Sequence, residues 1–206
     1  GAVCDGQSAN LLLELTGEGP WTVGYEINGE LQAPLEVNAS PYNYPTVVPG
    51  DYSLVSVADQ HCIGTVEGAA SVTEYPLPTA NISGNAVICP TESAAFEVNL
   101  TGSGPWTVVY SIDGDEQSPI EIDSTPFELE ADIEGTYEIE SVQDIYCGNF
   151  GTGTAELEYA PYPTATLTGG GTFCPDDMGN VAILFTGDGP WTFQYAIDNE
   201  VFGPIT

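Results

Sequence analysis

The sequence contains no lysine and no arginine among its 206 residues, and its single histidine is His61. Because proteins bind phosphates mainly through cationic side chains, this composition excludes charge-driven binding to nucleic acid and to anionic membrane surfaces. Schiff-base chemistry and the lysine-dependent forms of phosphoryl transfer are excluded for the same reason. No apolar run reaches the 18 or more residues of a membrane-spanning helix, so membrane insertion is not expected.

Acidic residues are abundant, and they give the chain its formal net charge of −31. Charged residues still make up only 15% of the sequence, while hydrophobic residues make up 42% and aromatic residues 10%. A disordered acidic tail would be poor in aromatic and branched residues. The composition therefore predicts a folded protein with an apolar core and an acidic surface.

The sequence is built from a repeat of 85 residues. The motif Thr-Gly-x-Gly-Pro-Trp begins at Thr16 and recurs from Thr101 and from Thr186. An ungapped alignment of residues 1–85 with residues 86–170 gives 31 identical positions. A match at a fixed period indicates tandem duplication. The sequence predicts three segments: residues 1–76 as a repeat without its first strand, 77–161 as a complete repeat, and 162–206 as the N-terminal part of a third.

Within each repeat, apolar residues alternate with polar ones, which is typical of β-strands. Phe96, Val98 and Leu100 are predicted to point inward, with polar residues between them. Asn28-Gly29 and Asp113-Gly114 match the preferred two-residue turns of β-hairpins. About seven short strands in 85 residues favour an immunoglobulin-like (Ig-like) sandwich. The predicted fold class is all-β, in tandem Ig-like repeats.

Two features that resemble functional motifs have structural interpretations. In Thr-Gly-x-Gly-Pro-Trp, the glycines permit a turn, the proline sets the entry to a strand, and the tryptophan enters the core. His61 corresponds to Tyr146 in the second repeat, so it is expected to be an exposed loop residue. No nucleophile motif or metal-ligand spacing accompanies it. We expect no catalytic residue, no cofactor and no enzymatic activity.

The cysteines follow the same 85-residue step, in two series. Cys4, Cys89 and Cys174 form the first series, and Cys62 and Cys147 form the second. Wide spacing in a glycine-rich β protein indicates disulfides formed in an oxidising compartment. The sequence leaves two pairings open. Either each repeat is closed internally, as Cys4–Cys62 and Cys89–Cys147, or adjacent repeats are joined, as Cys4–Cys147.

The acidic surface also permits two interpretations. Asp113, Asp115 and Glu116 form the nearest local candidate for a Ca²⁺ site, although they match no EF-hand loop and also fit a plain hairpin. The other interpretation is a solvated face that is screened by salt, since like charges on neighbouring strands repel.

The stretch Thr79-Ala-Asn-Ile-Ser-Gly-Asn-Ala-Val-Ile-Cys-Pro90, with Val98 to Tyr110 and Gly135 to Cys147, resembles a known repeat. It is similar to the Ig-like repeats of secreted and cell-surface proteins of Bacteroidota, of the gliding-motility-associated adhesin type. The resemblance implies export by the type IX system and an extracellular, cell-surface location. It also implies Ser124, in Asp123-Ser-Thr125, as an O-glycosylation site.

These observations predict a structural or adhesive repeat protein, a stiff surface fibre or adhesin stalk of disulfide-linked beads that is able to form filaments. The expected partners are neighbouring repeats of the same chain and other copies of the chain. The alternative is a recognition module of a large secreted protein that binds glycans or Ca²⁺.

Overall fold

The protein, described by a computed structural model over residues 1–206, consists of 22 β-strands and has no helix. No part of it forms a helix that is long and apolar enough to cross a membrane. Nine strands lie within residues 1–76: β1 (Ala2–Cys4), β2 (Ala9–Leu13), β3 (Trp21–Ile27), β4 (Glu30–Leu31), β5 (Leu35–Val37), β6 (Tyr42–Thr46), β7 (Gly50–Ala58), β8 (Ile63–Gly64) and β9 (Ala69–Tyr75).

Nine further strands lie within residues 77–161: β10 (Ala80–Ile88), β11 (Ala94–Leu100), β12 (Trp106–Ile112), β13 (Asp115–Glu116), β14 (Ile120–Ile122), β15 (Phe127–Ala131), β16 (Gly135–Gln143), β17 (Gly148–Phe150) and β18 (Thr154–Tyr159). The last four are β19 (Ala165–Gly169), β20 (Val181–Phe185), β21 (Phe193–Ile197) and β22 (Glu200–Ile205).

The chain forms two compact units. One comprises residues Gly1–Gly84, Phe96–Leu129 and Thr136–Ala155, and the other comprises Asn85–Ala95, Glu130–Gly135 and Glu156–Thr206. The first unit contains most of the strands of the first two repeats and the disulfide between them. In the second unit, β19 pairs antiparallel with β20, and β21 pairs antiparallel with β22.

In the first repeat, one sheet has the strand order β1-β9-β7-β3-β4, and β2 pairs with β6 in a separate two-stranded sheet. Buried side chains from both sheets meet between them. One cluster is formed by Ala9, Tyr52 and Val72, and the other is formed by Trp21, Val23 and Val37.

In the second repeat, the strand order is β13-β12-β16-β18-β10-β11-β15. Phe96 on β11 and Tyr137 on β16 lie three strands apart in this order, yet their rings make an edge contact with centroids 5.3 Å apart. The sheet therefore folds back on itself into a sandwich. Phe96, Val98 and Leu100 are buried while Glu97 and Asn99 are exposed, which confirms the predicted alternation.

The predicted hairpin turns are present, and their backbone explains the residues found there. Asn28 and Gly29 have φ values of 53° and 81°, and Asp113 and Gly114 have φ values of 52° and 83°. Positive φ at both central residues defines the type I′ turn, which asparagine, aspartate and glycine tolerate best. The turns are therefore dictated locally by the sequence.

The Thr-Gly-x-Gly-Pro-Trp motif is a packing unit. The indole N–H of Trp106 donates to the carbonyl of Thr101 at 2.9 Å, and Gly102 has a φ of 100° that few other residues adopt. A Cβ on Gly104 would lie only 2.5 Å from Cζ3 of Trp106. Only a glycine lets the ring lie flat against the backbone there, and the ring is 7% exposed. The motif thus serves the core, as predicted.

We expect Gly104→Ala to lower the free energy of unfolding by about 1–3 kcal/mol, because the added methyl group displaces the Trp106 ring from the core. Urea denaturation followed by circular dichroism measures this loss. Gly148→Ala is the matched control, because a Cβ there meets its nearest atom at an ordinary 3.6 Å. Equal losses in the two variants would contradict the packing role of Gly104.

Candidate functional site

The first two repeats are joined covalently. A disulfide links Cys4 to Cys147, with the two Cα atoms 5.8 Å apart and a sequence separation of 143. Cys4 ends β1, which runs parallel to β9 with Cys4 opposite Tyr75, and the amide of Asp5 donates to the carbonyl of Tyr75 at 2.8 Å. Cys4 is thereby held beside the C-terminal end of the first repeat. Of the two pairings left open by the sequence, the structure contains the one between adjacent repeats.

An aromatic stack lies beside the disulfide. The rings of Tyr75 and Tyr146 are stacked with centroids 3.8 Å apart and planes inclined by 5°. A hydrogen bond between the two hydroxyl groups raises the pKa of Tyr75 above its ordinary value. The stack covers apolar ring surface on both repeats, so it adds a packed contact to the covalent one.

Asp144 shapes the loop that presents Cys147. Its Oδ1 accepts the amide N–H groups of Tyr146 at 2.8 Å and Cys147 at 2.7 Å, and its Oδ2 accepts that of Ser103 at 2.9 Å. The side chain is buried, which by itself would raise the pKa of the carboxyl group; the three N–H donors outweigh this effect and lower it. A charged acceptor therefore fixes both the turn and the position of the sulfur.

The connection between the repeats is packed rather than loose. Pro78 is fully buried, and its carbonyl accepts a hydrogen bond from the side-chain amide of Asn149 at 2.9 Å. The hydroxyl groups of Thr79 and Thr101 lie 2.7 Å apart. The residues that follow the first repeat are thus held to the second repeat by hydrogen bonds and by burial.

An apolar groove of about 350 Å³ opens on the first repeat. It is lined by side chains of β2 and β7, including Leu11, Leu13 and Leu54, and by Tyr44. A hydrogen bond with Tyr25 and burial raise the pKa of Tyr44 to about 12, so this ring is neutral at physiological pH. In the second repeat the first part of β10 pairs with β11 at the equivalent place, whereas β1 corresponds only to the end of β10. The groove therefore adjoins β2, whose counterpart β11 is paired with β10 in the second repeat.

The three acidic residues proposed for Ca²⁺ do not converge. Asp113 occupies the hairpin turn, and its Oδ1 accepts the amide of Thr136 at 2.9 Å. Asn28 makes the same contact to Asp51 in the first repeat, without a carboxylate. No group of three or more metal-ligating side chains is gathered anywhere in the chain. The hairpin interpretation accounts for Asp113.

The remaining predicted residues lie on the surface. Ser124 is exposed in the turn before β15, and His61 is exposed in the loop after β7. Cys62, Cys89 and Cys174 are exposed and carry free thiols.

Sequence reasoning missed Tyr75, Asp144 and Asn149, which build the joint. Asp144 carried a signal, because Asp-x-x-Cys occurs at the same place in both repeats as Asp59 to Cys62 and Asp144 to Cys147. Tyr75 carried none, since its equivalent in the second repeat is Ala160.

The folded-back sheet, the short strands and the packed joint define a protein of tandem Ig-like β-sandwich repeats. Residues 2–72 and residues 78–150 each match the family described as the nucleoporin POM152 Ig-like domain. The chain belongs to this family.

The proteins that are similar to the chain include two solved structures and one curated protein. The nucleoporin pom152 of Schizosaccharomyces pombe is 35% identical in an alignment of 123 residues, and the match covers 50% of this chain and 10% of that protein. The chain thus spans about a tenth of the length of that relative. The I-band fragment I67–I69 of titin aligns with a TM-score of 0.51 at 11% identity, over 96% of this chain and 81% of that one. An E-to-A mutated variant of the same titin domains gives 0.52, also at 11% identity, over 100% and 78%. The titin likeness shows the fold.

The family overturns the expected location and lineage. The prediction of an extracellular, cell-surface adhesin of Bacteroidota is wrong, because the matching family and the curated relative are those of a nucleoporin. The residues that suggested the adhesin type explain the error. The tryptophan motif and the hairpin glycines are requirements of the turn and the core, and a disulfide requires only an oxidising compartment. None of them specifies a cell surface.

We expect Asp144→Asn to lower the free energy of unfolding by about 1–2 kcal/mol at pH 7, because three backbone donors lose a charged acceptor. Urea denaturation measures the loss. Asp123→Asn, at an exposed position, is the control and should have little effect. A loss no larger than that of the control would contradict the role assigned to Asp144.

The loss should also depend on pH. Because the folded-state pKa of Asp144 is lowered, its contribution is present above the unfolded pKa of about 4 and disappears as pH falls through the folded value. The difference between wild type and Asp144→Asn should therefore shrink below about pH 4. A difference that is constant from pH 7 to pH 3 would show that the carboxylate charge is not the cause.

Proposed function

We propose that this chain is a stiff structural segment, in which consecutive Ig-like domains are fixed to each other so that they act as a spacer or scaffold element. The observation that carries the proposal is the Cys4–Cys147 bond, because it joins two repeats instead of closing one. A domain that only had to be stable would gain more directly from an internal bond.

The charge of the chain explains why a covalent joint is useful. Residues 1–85 carry 10 acidic side chains and residues 86–170 carry 16, with no lysine or arginine in either. Two such domains repel each other over a screening length of about 8 Å at physiological salt, and no Lys or Arg is present to bridge them. The disulfide, the Tyr75–Tyr146 stack and the buried Pro78 hold the joint without any ion pair.

The family supports this role. We infer that the chain is one stretch of a longer, repeat-built component, as its match to a tenth of a nucleoporin suggests. Its partners in this proposal are neighbouring repeats and other copies of the chain. We propose no catalytic role, because the site contains no nucleophile with an adjacent base. A glycan- or Ca²⁺-binding module has no observation in its favour.

Relaxation of backbone ¹⁵N spins tests the stiffness of the joint. We expect the first two repeats of the oxidised wild-type chain to share one rotational correlation time, and those of the variant Cys4→Ser/Cys147→Ser to separate into two. Cys62→Ser/Cys174→Ser is the matched control, because it removes two free thiols and leaves the bond intact.

Small-angle scattering provides a second test. A compact globule of this length has a radius of gyration of about 17 Å. We expect a clearly larger radius of gyration for the oxidised chain. Loss of the disulfide should leave this radius large and should broaden the distribution of interatomic distances. Independent tumbling of the repeats in the oxidised protein, or a compact radius, would contradict a stiff spacer. A melting temperature that rises sharply in millimolar Ca²⁺ would favour the recognition module instead.

A further inference from the structure

The disulfide at the joint combines two sequence positions that recur every 85 residues. Cys4 belongs to the first series, with Cys89 and Cys174, and Cys147 belongs to the second, with Cys62. The bond therefore runs from the first cysteine of one repeat to the second cysteine of the next. By the same rule, the bonding partners of Cys62, Cys89 and Cys174 would lie in other repeats, and these three cysteines have free thiols.

All cysteines of the first series occupy the same local structure. In each case the residue three positions later donates its amide to the cysteine carbonyl, at 2.9 Å for Gln7 on Cys4, 2.9 Å for Glu92 on Cys89 and 3.0 Å for Asp177 on Cys174. Cys89 also follows a strand, β10, that lies beside the C-terminal end of its own repeat. There the amide of Ala160 donates to the carbonyl of Ile88 at 2.8 Å. Cys89 and Cys174 are therefore presented by the same turn as Cys4.

The cysteines of the second series also share one loop. Asp59 accepts the amides of His61 at 2.8 Å and Cys62 at 2.7 Å, as Asp144 does for the two residues equivalent to them. The amide of Asp59 donates to the carbonyl of Cys62 at 2.9 Å, and the corresponding distance from Asp144 is 2.8 Å. Cys62 thus has the geometry of Cys147 without the bond.

The tyrosine stack of the joint does not recur, although the threonine contact does, with the hydroxyl groups of Thr164 and Thr186 2.6 Å apart. Tyr75 is replaced by Ala160 at the end of the second repeat, and Tyr146 corresponds to His61 in the first. Neither neighbouring joint can form the tyrosine pair seen here. The two cysteine positions, unlike the tyrosine pair, are preserved by the repeat.

We propose that every joint in the array carries the same disulfide, with Cys62, Cys89 and Cys174 as half-cystines of three further joints. Cys62 bonds to the first cysteine of the repeat before it. Cys89 and Cys174 each bond to the second cysteine of the repeat that follows their own. The partner in each case is another repeat of this kind. This inference rests on the proposed function and extends it from one joint to the whole array.

The chemistry is thiol–disulfide exchange. Two protein thiols react with one molecule of a low-molecular-weight disulfide such as oxidised glutathione, and the products are one protein disulfide and two molecules of reduced glutathione. The two electrons pass from the cysteine sulfurs to the glutathione disulfide, and each thiol proton ends on a glutathione sulfur. The exposed thiols of both cysteine series satisfy the requirement for access.

The repeat length allows a direct test on the full chain. A second copy of residues 1–85 is fused to the N-terminus at Gly1, which keeps the 85-residue period because Gly1 corresponds to Ala86. In that copy Ile63→Val, at an exposed position, marks the peptide that contains its Cys62 by mass. The protein is refolded in a glutathione buffer and digested with a glutamate-specific protease, since it offers no site for trypsin. Bonded peptides are then identified by non-reducing mass spectrometry.

The expected product has Cys4 of the added copy bonded to Cys62 of the original chain, with the original Cys4–Cys147 bond retained. The extended chain has seven cysteines, so two bonds leave three free thiols, whereas Cys4–Cys147 alone would leave five. A bond between Cys4 and Cys62 of the same copy, or five free thiols in a folded chain, overturns the inference. Retention of Cys4–Cys147 in that case would leave the proposed function intact, so the two failures are distinguishable.

A second extension tests Cys89 and does not depend on folding of the first. Residues 122–161 are appended after Thr206, which corresponds to Glu121, so that they complete the third repeat in register. The copied Cys147 is expected to bond to Cys89 and not to Cys174. Cys89→Ser in the same chain is the control, and it should leave the copied cysteine free. A bond from the copied cysteine to Cys174 in the folded product contradicts the inference.

Discussion

The contact between the first two repeats depends on one constraint, which is that the chain has negative side chains and no Lys or Arg to pair with them. Two acidic domains in contact gain nothing from ion pairs and must be held by other means. The joint uses a covalent bond, a stacked tyrosine pair, a buried proline and a carboxylate whose charge is stabilised by backbone N–H groups. Asp144 shows the principle on a small scale, since its charge is stabilised by amides where another protein would use an arginine.

The same constraint determines how each domain is stabilised internally. With no Lys or Arg, the fold relies on apolar burial and on hydrogen bonds at its turns. The tryptophan motif is the clearest case, because the carbonyl of Thr101 satisfies the indole N–H and Gly104 lets the ring reach the core. In the third segment the equivalent Trp191 is 38% exposed, and its ring stacks on Phe185 with centroids 5.4 Å apart. The motif thus forms its local hydrogen bond even where the tryptophan is less buried.

Repeated residues that are required for folding say little about where a protein resides. The residues that resembled a bacterial surface adhesin are those that a turn, a hairpin or a sandwich core requires, and such requirements recur in every lineage that uses the fold. The membership in a nucleoporin Ig-like family rests on the whole pattern over two repeats instead of on one motif. A shared fold permits both locations, and for this reason the fold alone could not test the predicted one, whereas comparison with known proteins did.

The sequence by itself determined the 85-residue period, the all-β fold, the inward positions of β11 and the two hairpin turns at Asn28 and Asp113. These features depend on residues that are close in sequence, so periodicity and turn chemistry are enough to predict them. It did not decide which cysteines pair, because Cys4 is 58 residues from Cys62 and 143 from Cys147 and neither separation states a distance in space. Only the tertiary structure decided that the bond crosses the joint, that Tyr75 meets Tyr146 and that Asp144 is buried. Those contacts form between two folded domains, and a pattern of residues close in sequence does not predict which surfaces of the two domains come into contact.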